Sequence, residues 1–254
     1  MVGRYGSSEL SVLRKVNDTN SGVDADIKDA LHTLHYYSGF FPEDEKLVFR
    51  YAEVMKAATS QVDLMAIWFQ MLENYELKKY GSDPEYCRLK SMEPFFSSKP
   101  WTETLYGKNV LVIHPFCKTI EKQYHNREKL FKDKRILPEF KLIIQPAVQT
   151  IAGNPDPRFS NWFQALDFMY EEAMKVDFDV AIIGCGAYGF PLAAKIKQAG
   201  KVAIHMAGST QLLFGIKGKR WEEREDYRAI MNEYWVRPME VPSNAENIEG
   251  GCYW

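Results

Sequence analysis

The chain has 254 residues, of which 46% are apolar and 26% charged, and its net charge is −2. That length supports a sizeable core without disulfide or metal staples. Lys and Arg are spread along the chain rather than gathered in a basic block, which argues against nucleic acid as the main partner. Cys87, Cys117, Cys185 and Cys252 show no CxxC spacing, so neither a zinc knuckle nor a disulfide framework is expected. The first residues lack the basic and apolar blocks of a signal peptide, and no apolar run is long enough to cross a bilayer. A cytoplasmic protein is expected, peripheral at most to the inner face of the membrane. Aromatic residues make up 14%, including 14 Tyr and 6 Trp, and such side chains serve cores, interfaces and sugar-binding surfaces alike.

Val2 to Tyr5 reads as a short strand, and Ser7 or Ser8 as the cap of a helix running through Leu10 and Leu13. Asp24 to His35 and Glu43 to Ala58 read as amphipathic helices, the second opened by Pro42 and three acids. Leu64 to Phe69 is a compact apolar run that suits a buried strand. Residues 83 to 107, rich in Pro, Ser and aromatics, read as an irregular connection. Asn109 to Ile113 is a β-branched strand followed by a helix over Lys118 to Phe131, and Phe140 to Ile144 is the next strand. A helix over Asn161 to Lys175 precedes the strand Asp179 to Ile183. The helix Phe190 to Gln198, closed by Gly200, leads to the strand Val202 to His205. This alternation predicts βαβ units in an α/β, Rossmann-like fold, a mostly parallel sheet flanked by helices. The chain is expected to form a single domain over 1–254, with a helical and irregular half at 1–107 and a Rossmann-like half at 108–254.

Three stretches could carry chemistry. The loop Gly184-Cys185-Gly186-Ala187-Tyr188-Gly189 lies between a strand and a helix and matches GxGxxG, a pattern that lets backbone N–H groups approach a phosphate. The acid that would grip a dinucleotide ribose is missing, because the next strand ends in His205-Met206-Ala207-Gly208. An anion site therefore competes with a plain tight turn. Arg4, Gly6, Ser7 and Glu9 crowd a strand-to-helix junction, where Glu9 could ligate a metal, act as a base, accept from a hydroxyl, or simply favour the helix dipole. Lys217, Lys219 and Arg220 form a basic stretch suited to a diphosphate leaving group, or else a solvated loop. His114, at a strand end, and Glu249 are lesser candidates. The aromatic tail through Tyr253 and Trp254 is expected to dock on the domain, or to serve an oligomer interface.

RYGSSEL at Arg4–Leu10 resembles the RFGDGE-type signature that opens the GT-D class of bacterial glycosyltransferases. NVLVI with its Lys/Arg-rich helix, and DVAIIGCGAYGFPLAAKIKQAGKVAIHMAG, are similar to later segments of that class. The ending Gly-Gly-Cys-Tyr-Trp resembles proteins of bacterial surface-polysaccharide loci. The resemblance implies a hexosyltransferase-like enzyme that moves a sugar from a nucleotide-diphosphate donor to a glycan or lipid-linked glycan acceptor. Carried over, the catalytic positions are Arg4 and Glu9. Nucleotide-sugar binding is expected at Gly6, Ser7, His114, Gly184, Gly186, Ala187, Tyr188, His205, Gly208, Lys217, Lys219 and Arg220. The class carries an Asp-x-Glu motif and uses a divalent metal, Mn or Mg. Its Asp position is Ser7 here, a far weaker ligand for a hard cation. Glu9 is then the remaining metal-ligand candidate, and Lys219 and Arg220 are expected to supply positive charge instead. An NAD(P)-dependent oxidoreductase and a non-catalytic subunit of a polysaccharide assembly system are the competing readings.

Overall fold

A computed structural model describes residues 1–23, 26–68 and 72–254. Its strands are β1 (Val2–Gly3), β2 (Leu64–Ile67), β3 (Glu85–Arg88), β4 (Asn109–His114), β5 (Lys141–Pro146), β6 (Val180–Ile183) and β7 (Val202–His205). They form one seven-stranded sheet in the order β3-β2-β1-β7-β6-β4-β5, and every pairing is parallel. This is the expected α/β architecture, with helices on both faces. Both halves of the chain contribute: β1 to β3 come from the first and β4 to β7 from the second.

Side chains alternate between the two faces of a strand, and the β-branched runs use that alternation to build two cores. Leu111, Ile113, Ala181 and Ile183 enter the core formed with α1 (Ser7–Asn20), α2 (Lys28–Ser38), α3 (Glu45–Thr59) and the helices Trp162–Met174 and Gly189–Gln198. Val110, Val112, Val180 and Ile182 enter the core on the opposite face, which includes Ile120 and Tyr124 of the helix Cys117–His125. Strands buried on both faces read as continuous apolar runs, as NVLVI and VAII do.

Side-chain caps fix the starts of two long helices. Asp44 caps α3 by accepting from the Lys46 amide at 2.7 Å, and Asn161 caps the next long helix by accepting from Gln164 at 3.1 Å. The cap of α1 departs from expectation. Gly6 is the capping residue without a side-chain bond, and Ser7 and Ser8 lie inside the first turn. Ser8 is turned instead toward Glu9 and Ser38, at 2.9 and 2.6 Å. The helix expected over Lys118 to Phe131 is interrupted at Asn126, and Phe131 is extended. The region 83–107 is also more ordered than expected, since it holds β3 and several single helical turns. Residues of β3 are exposed or half-buried throughout, so this edge strand carries no apolar alternation and is held by main-chain pairing with β2. Asp24 and Phe69, the expected start of one helix and end of one strand, lie outside the described residues. Among the described residues, no helix is long and apolar enough to cross a membrane.

Candidate active site

Connections from β4 and β6 leave to opposite faces, through the helix Cys117–His125 and the helix Gly189–Gln198. Such a reversal opens a crevice at the carboxyl ends of the strands. A cavity of about 740 Å³ occupies that edge, and residues at or just beyond the ends of all seven strands line it, from Arg4 and Trp68 through Leu89, His114 and Val148 to Gly184 and His205. Register explains the convergence. Ile113, Ile183 and His205 are paired at one level, and Val2 pairs with Ile204 one level below. Arg4, Gly184 and His114 therefore each sit one step past that common level.

Arg4 is the exceptional cation of the wall. Its Nε donates to the Tyr5 carbonyl at 3.0 Å, and its guanidinium lies over the Trp68 ring, 4.5 Å from the centroid. Among the described residues no carboxylate approaches it within ion-pair distance, whereas Arg220 pairs with Glu249 at 2.5 Å and Arg224 with Asp226 at 3.2 Å. Burial holds the Arg4 pKa below its ordinary value, partly offset by the charges of Glu9, Tyr253, Glu93 and Glu73. A desolvated guanidinium with donors turned to a cavity is a site for an anion.

Glu9, on the first turn of α1, is buried against the cavity wall. It accepts from the Ser8 hydroxyl at 2.9 Å and folds back over Gly6, where a Cβ would fall 1.8 Å from its Oε2. Only glycine leaves room for that carboxylate. Ser7 is exposed on the same wall. Among the described residues no group of three His, Cys, Asp or Glu side chains is placed to hold a metal ion. The donor set around Glu9, with hydroxyls as its neighbours, does not fit a tightly held divalent cation.

The two cavity histidines are both neutral donors or acceptors rather than charges. Burial pushes the His114 pKa down to about 3. The Phe116 amide donates to its Nδ1 at 3.0 Å, which fixes the ring proton on Nε2. His205 is also lowered to about 3, by burial first and the nearby Arg4 second, with the Ile183 carbonyl opposing. Its Nδ1 has no hydrogen-bond partner among the described residues.

The glycine loop is packed against the protein's own groups. A Cβ at Gly184 would meet the Ala207 carbonyl and Thr210 Oγ1 at 2.6 Å, and one at Gly189 would meet the His205 ring at 2.3 Å. Gly186 has φ +57°, and a Cβ there would lie 2.6 Å from the Ser38 carbonyl. Gly184, Gly186 and Tyr188 still line the cavity, as do Gly6, His114, His205 and Gly208. Ala187 is buried away from it.

The basic stretch divides. Gly218 is tucked beneath the Cys252 and Tyr253 carbonyls, and this turns Arg220 inward, where it donates to the Tyr253 hydroxyl at 3.2 Å. Lys217 instead faces Glu222 at 3.5 Å and Lys219 faces the Gly250 carbonyl at 3.4 Å. Neither lysine lines the cavity, so the three cations expected to act together are separated by one pinned turn. The aromatic tail docks: Tyr253 and Trp254 form part of the wall, and the Trp254 indole donates to the Glu240 carbonyl at 2.9 Å.

Two solved structures of domain of unknown function 1792 resemble this chain along nearly its whole length. One, substituted with selenomethionine, is 13% identical, covers 98% of this chain and 87% of its own, and has a TM-score of 0.46. The other, described as a highly conserved domain with a distinct glycosyltransferase fold, is 14% identical, covers 99% and 83%, and has a TM-score of 0.48. No family model and no curated protein matches the chain.

Sequence reasoning missed Trp68, Glu93, Arg224 and Tyr227, all on the cavity wall. Glu93 is buried and accepts from the Tyr227 hydroxyl at 2.7 Å. The bond joins positions 134 residues apart, and no local pattern announces it. A lone Glu before Pro94 is the only signal in the sequence.

Proposed function

We propose that this protein is a hexosyltransferase that moves a sugar from a nucleotide-diphosphate donor to a glycan or lipid-linked glycan acceptor in bacterial surface-polysaccharide synthesis. The reading is carried by one observation: the guanidinium of Arg4, unpaired with any carboxylate among the described residues, lies over the Trp68 ring inside a large cavity beside Glu9. Sugar transfer releases a nucleoside diphosphate, so negative charge develops where the sugar–phosphate bond breaks. A preorganised cation in a partly desolvated site stabilises that charge as it forms. Arg4 is the group suited to it, and Arg220, held by Glu249 and Tyr253, reinforces the positive side of the cleft. Trp68, Tyr253 and Trp254 offer aromatic faces for a sugar ring or a nucleobase. The Nε2–H of His114 donates to a ligand oxygen. Glu9 accepts from a sugar hydroxyl, in keeping with the resemblance of Arg4-Tyr5-Gly6-Ser7-Ser8-Glu9 to the GT-D signature. The acceptor and donor meet in the cytoplasm, at the inner face of the membrane where lipid-linked acceptors present their glycans.

Calorimetric titration of the purified chain with UDP-glucose, UDP-galactose, UDP-N-acetylglucosamine, GDP-mannose and NADH, each with and without Mn²⁺, tests this reading. Saturable binding of a sugar nucleotide, lost in Arg4→Gln, is the expected result. Binding of NADH alone would replace the transferase by an oxidoreductase. Binding of none of the five would favour a non-catalytic assembly subunit.

A further inference from the structure

Among the described residues the cavity wall carries three carboxylate side chains, each holding one protein partner. Glu9 folds over Gly6 with the Ser8 hydroxyl on its Oε2, and Glu249 is paired with Arg220. Glu93 is held at Oε2 by the Tyr227 hydroxyl, 2.7 Å away. Its Oε1 has no hydrogen-bond partner among the described residues, yet it is not sealed from the cavity. The residue is 5% exposed, so one oxygen is clamped and the other is presented to whatever enters.

We propose that Glu93 is the general base of the transfer, taking the acceptor's proton on Oε1 while Tyr227 fixes Oε2 as a positioning residue. This rests on the transferase reading. The acceptor O–H bond breaks and its proton moves to Glu93. The oxygen's electron pair forms the new bond to the anomeric carbon. The bond from that carbon to the β-phosphate oxygen breaks, and its pair leaves on the nucleoside diphosphate beside Arg4. Glu93 becomes neutral as the leaving group gains one negative charge, so charge balances across the cleft.

The electrostatic surroundings agree with the geometry. Burial raises the Glu93 pKa above the ordinary carboxylate value, opposed by the Tyr227 hydrogen bond and by the positive charges of Arg224, Arg4 and Lys90. A base is most effective when its pKa approaches the working pH.

The test uses the full chain and whichever of the four sugar nucleotides named above it binds, with water as acceptor, reading release of the nucleoside diphosphate. Glu93→Gln is expected to bind the donor within about threefold of wild type while release falls about 100-fold or more. Tyr227→Phe is expected to keep binding, lose less of the rate, and move the acid limb of the rate profile to higher pH, because the lost hydrogen bond stabilised the carboxylate. Release by Glu93→Gln within about threefold of wild type would overturn the assignment and leave the transferase reading intact. Equal loss of donor binding and rate would make Glu93 a binding or structural residue and also overturn it. Should Glu93→Gln fail to fold, an unmoved acid limb in Tyr227→Phe overturns the proposal. A wild-type chain that binds none of the sugar nucleotides removes the transferase reading and this one with it, whereas one that binds without release overturns the base assignment alone.

Discussion

The imidazole of His205 packs against the α-carbon of Gly189, so closely that a Cβ there would lie 2.3 Å from the ring. His205 closes β7 and Gly189 opens the helix after β6, so this contact joins two neighbouring strand ends beneath the cavity. Gly189→Ala forces the ring, the helix or both to move. Overpacking of this kind costs about 1–3 kcal/mol, and chemical denaturation of the variant should show that loss. A variant as stable as wild type would mean that the imidazole swings freely.

Acid should weaken the fold through its buried histidines. His114 and His205 titrate at about 3 in the folded chain and near 6.5 when unfolded. Between those values the unfolded chain binds more protons, so their contribution is fully present above about pH 6.5 and is lost as the pH falls. Each should remove about 1 kcal/mol of stability between about pH 7 and about pH 5.5. The matched comparison is His205→Asn, whose stability should fall less steeply over that range in urea titrations. An identical slope in the variant would show that His205 is protonated in the fold.

At Arg4 the planar cation matters as well as the charge. Arg4→Lys keeps a positive group but loses the stack on Trp68 and the forked donors, and should weaken binding of UDP about tenfold. Arg4→Gln removes the charge and should weaken it about 100-fold. Calorimetry at fixed ionic strength reads both. Equal affinity of the lysine variant and wild type would mean that the indole contributes nothing to anion recognition.

The sheet was largely readable in the sequence, because strands buried on both faces must be apolar at every position, as NVLVI and DVAII are. The site was readable where a residue directly follows such a strand. Arg4, His114, Gly184 and His205 were found in this way, and register brings them to one edge. Trp68 escaped because its strand was read through to Phe69 whereas β2 ends at Ile67, Glu93 because it follows an edge strand without apolar alternation, and Tyr227 because it lies on a short helix beyond the last strand. Lys217 and Lys219 were misplaced for a different reason. Three cations within four positions suggest a common direction, but the Gly218 turn under the tail carbonyls sends only Arg220 inward. The glycine loop matched a phosphate fingerprint, yet each of its three glycines faces a group of the protein itself.

Metal should have little influence on donor binding. Ser7 stands where the GT-D signature that this stretch resembles carries Asp, and Ser8 already occupies one Glu9 oxygen. Affinity for UDP should change by less than about threefold when EDTA replaces Mn²⁺. Ser7→Asp should create a dependence, seen as binding that strengthens with added Mn²⁺. A wild-type chain that binds UDP only with Mn²⁺ would require ligands supplied by the nucleotide itself.

The central pairing of β1 with β7 joins Val2 to Ile204. During synthesis the first strand must wait, with one edge unsatisfied, until some two hundred residues have followed it. Sheets closed by such distant partners fold slowly, since the loop entropy is lost before the contact forms. The cavity, framed by residues as distant as Arg4 and Trp254, therefore cannot form before both have been synthesised. Conditions that slow elongation or supply chaperones to the nascent chain should raise the yield of binding-competent protein more than they raise total yield.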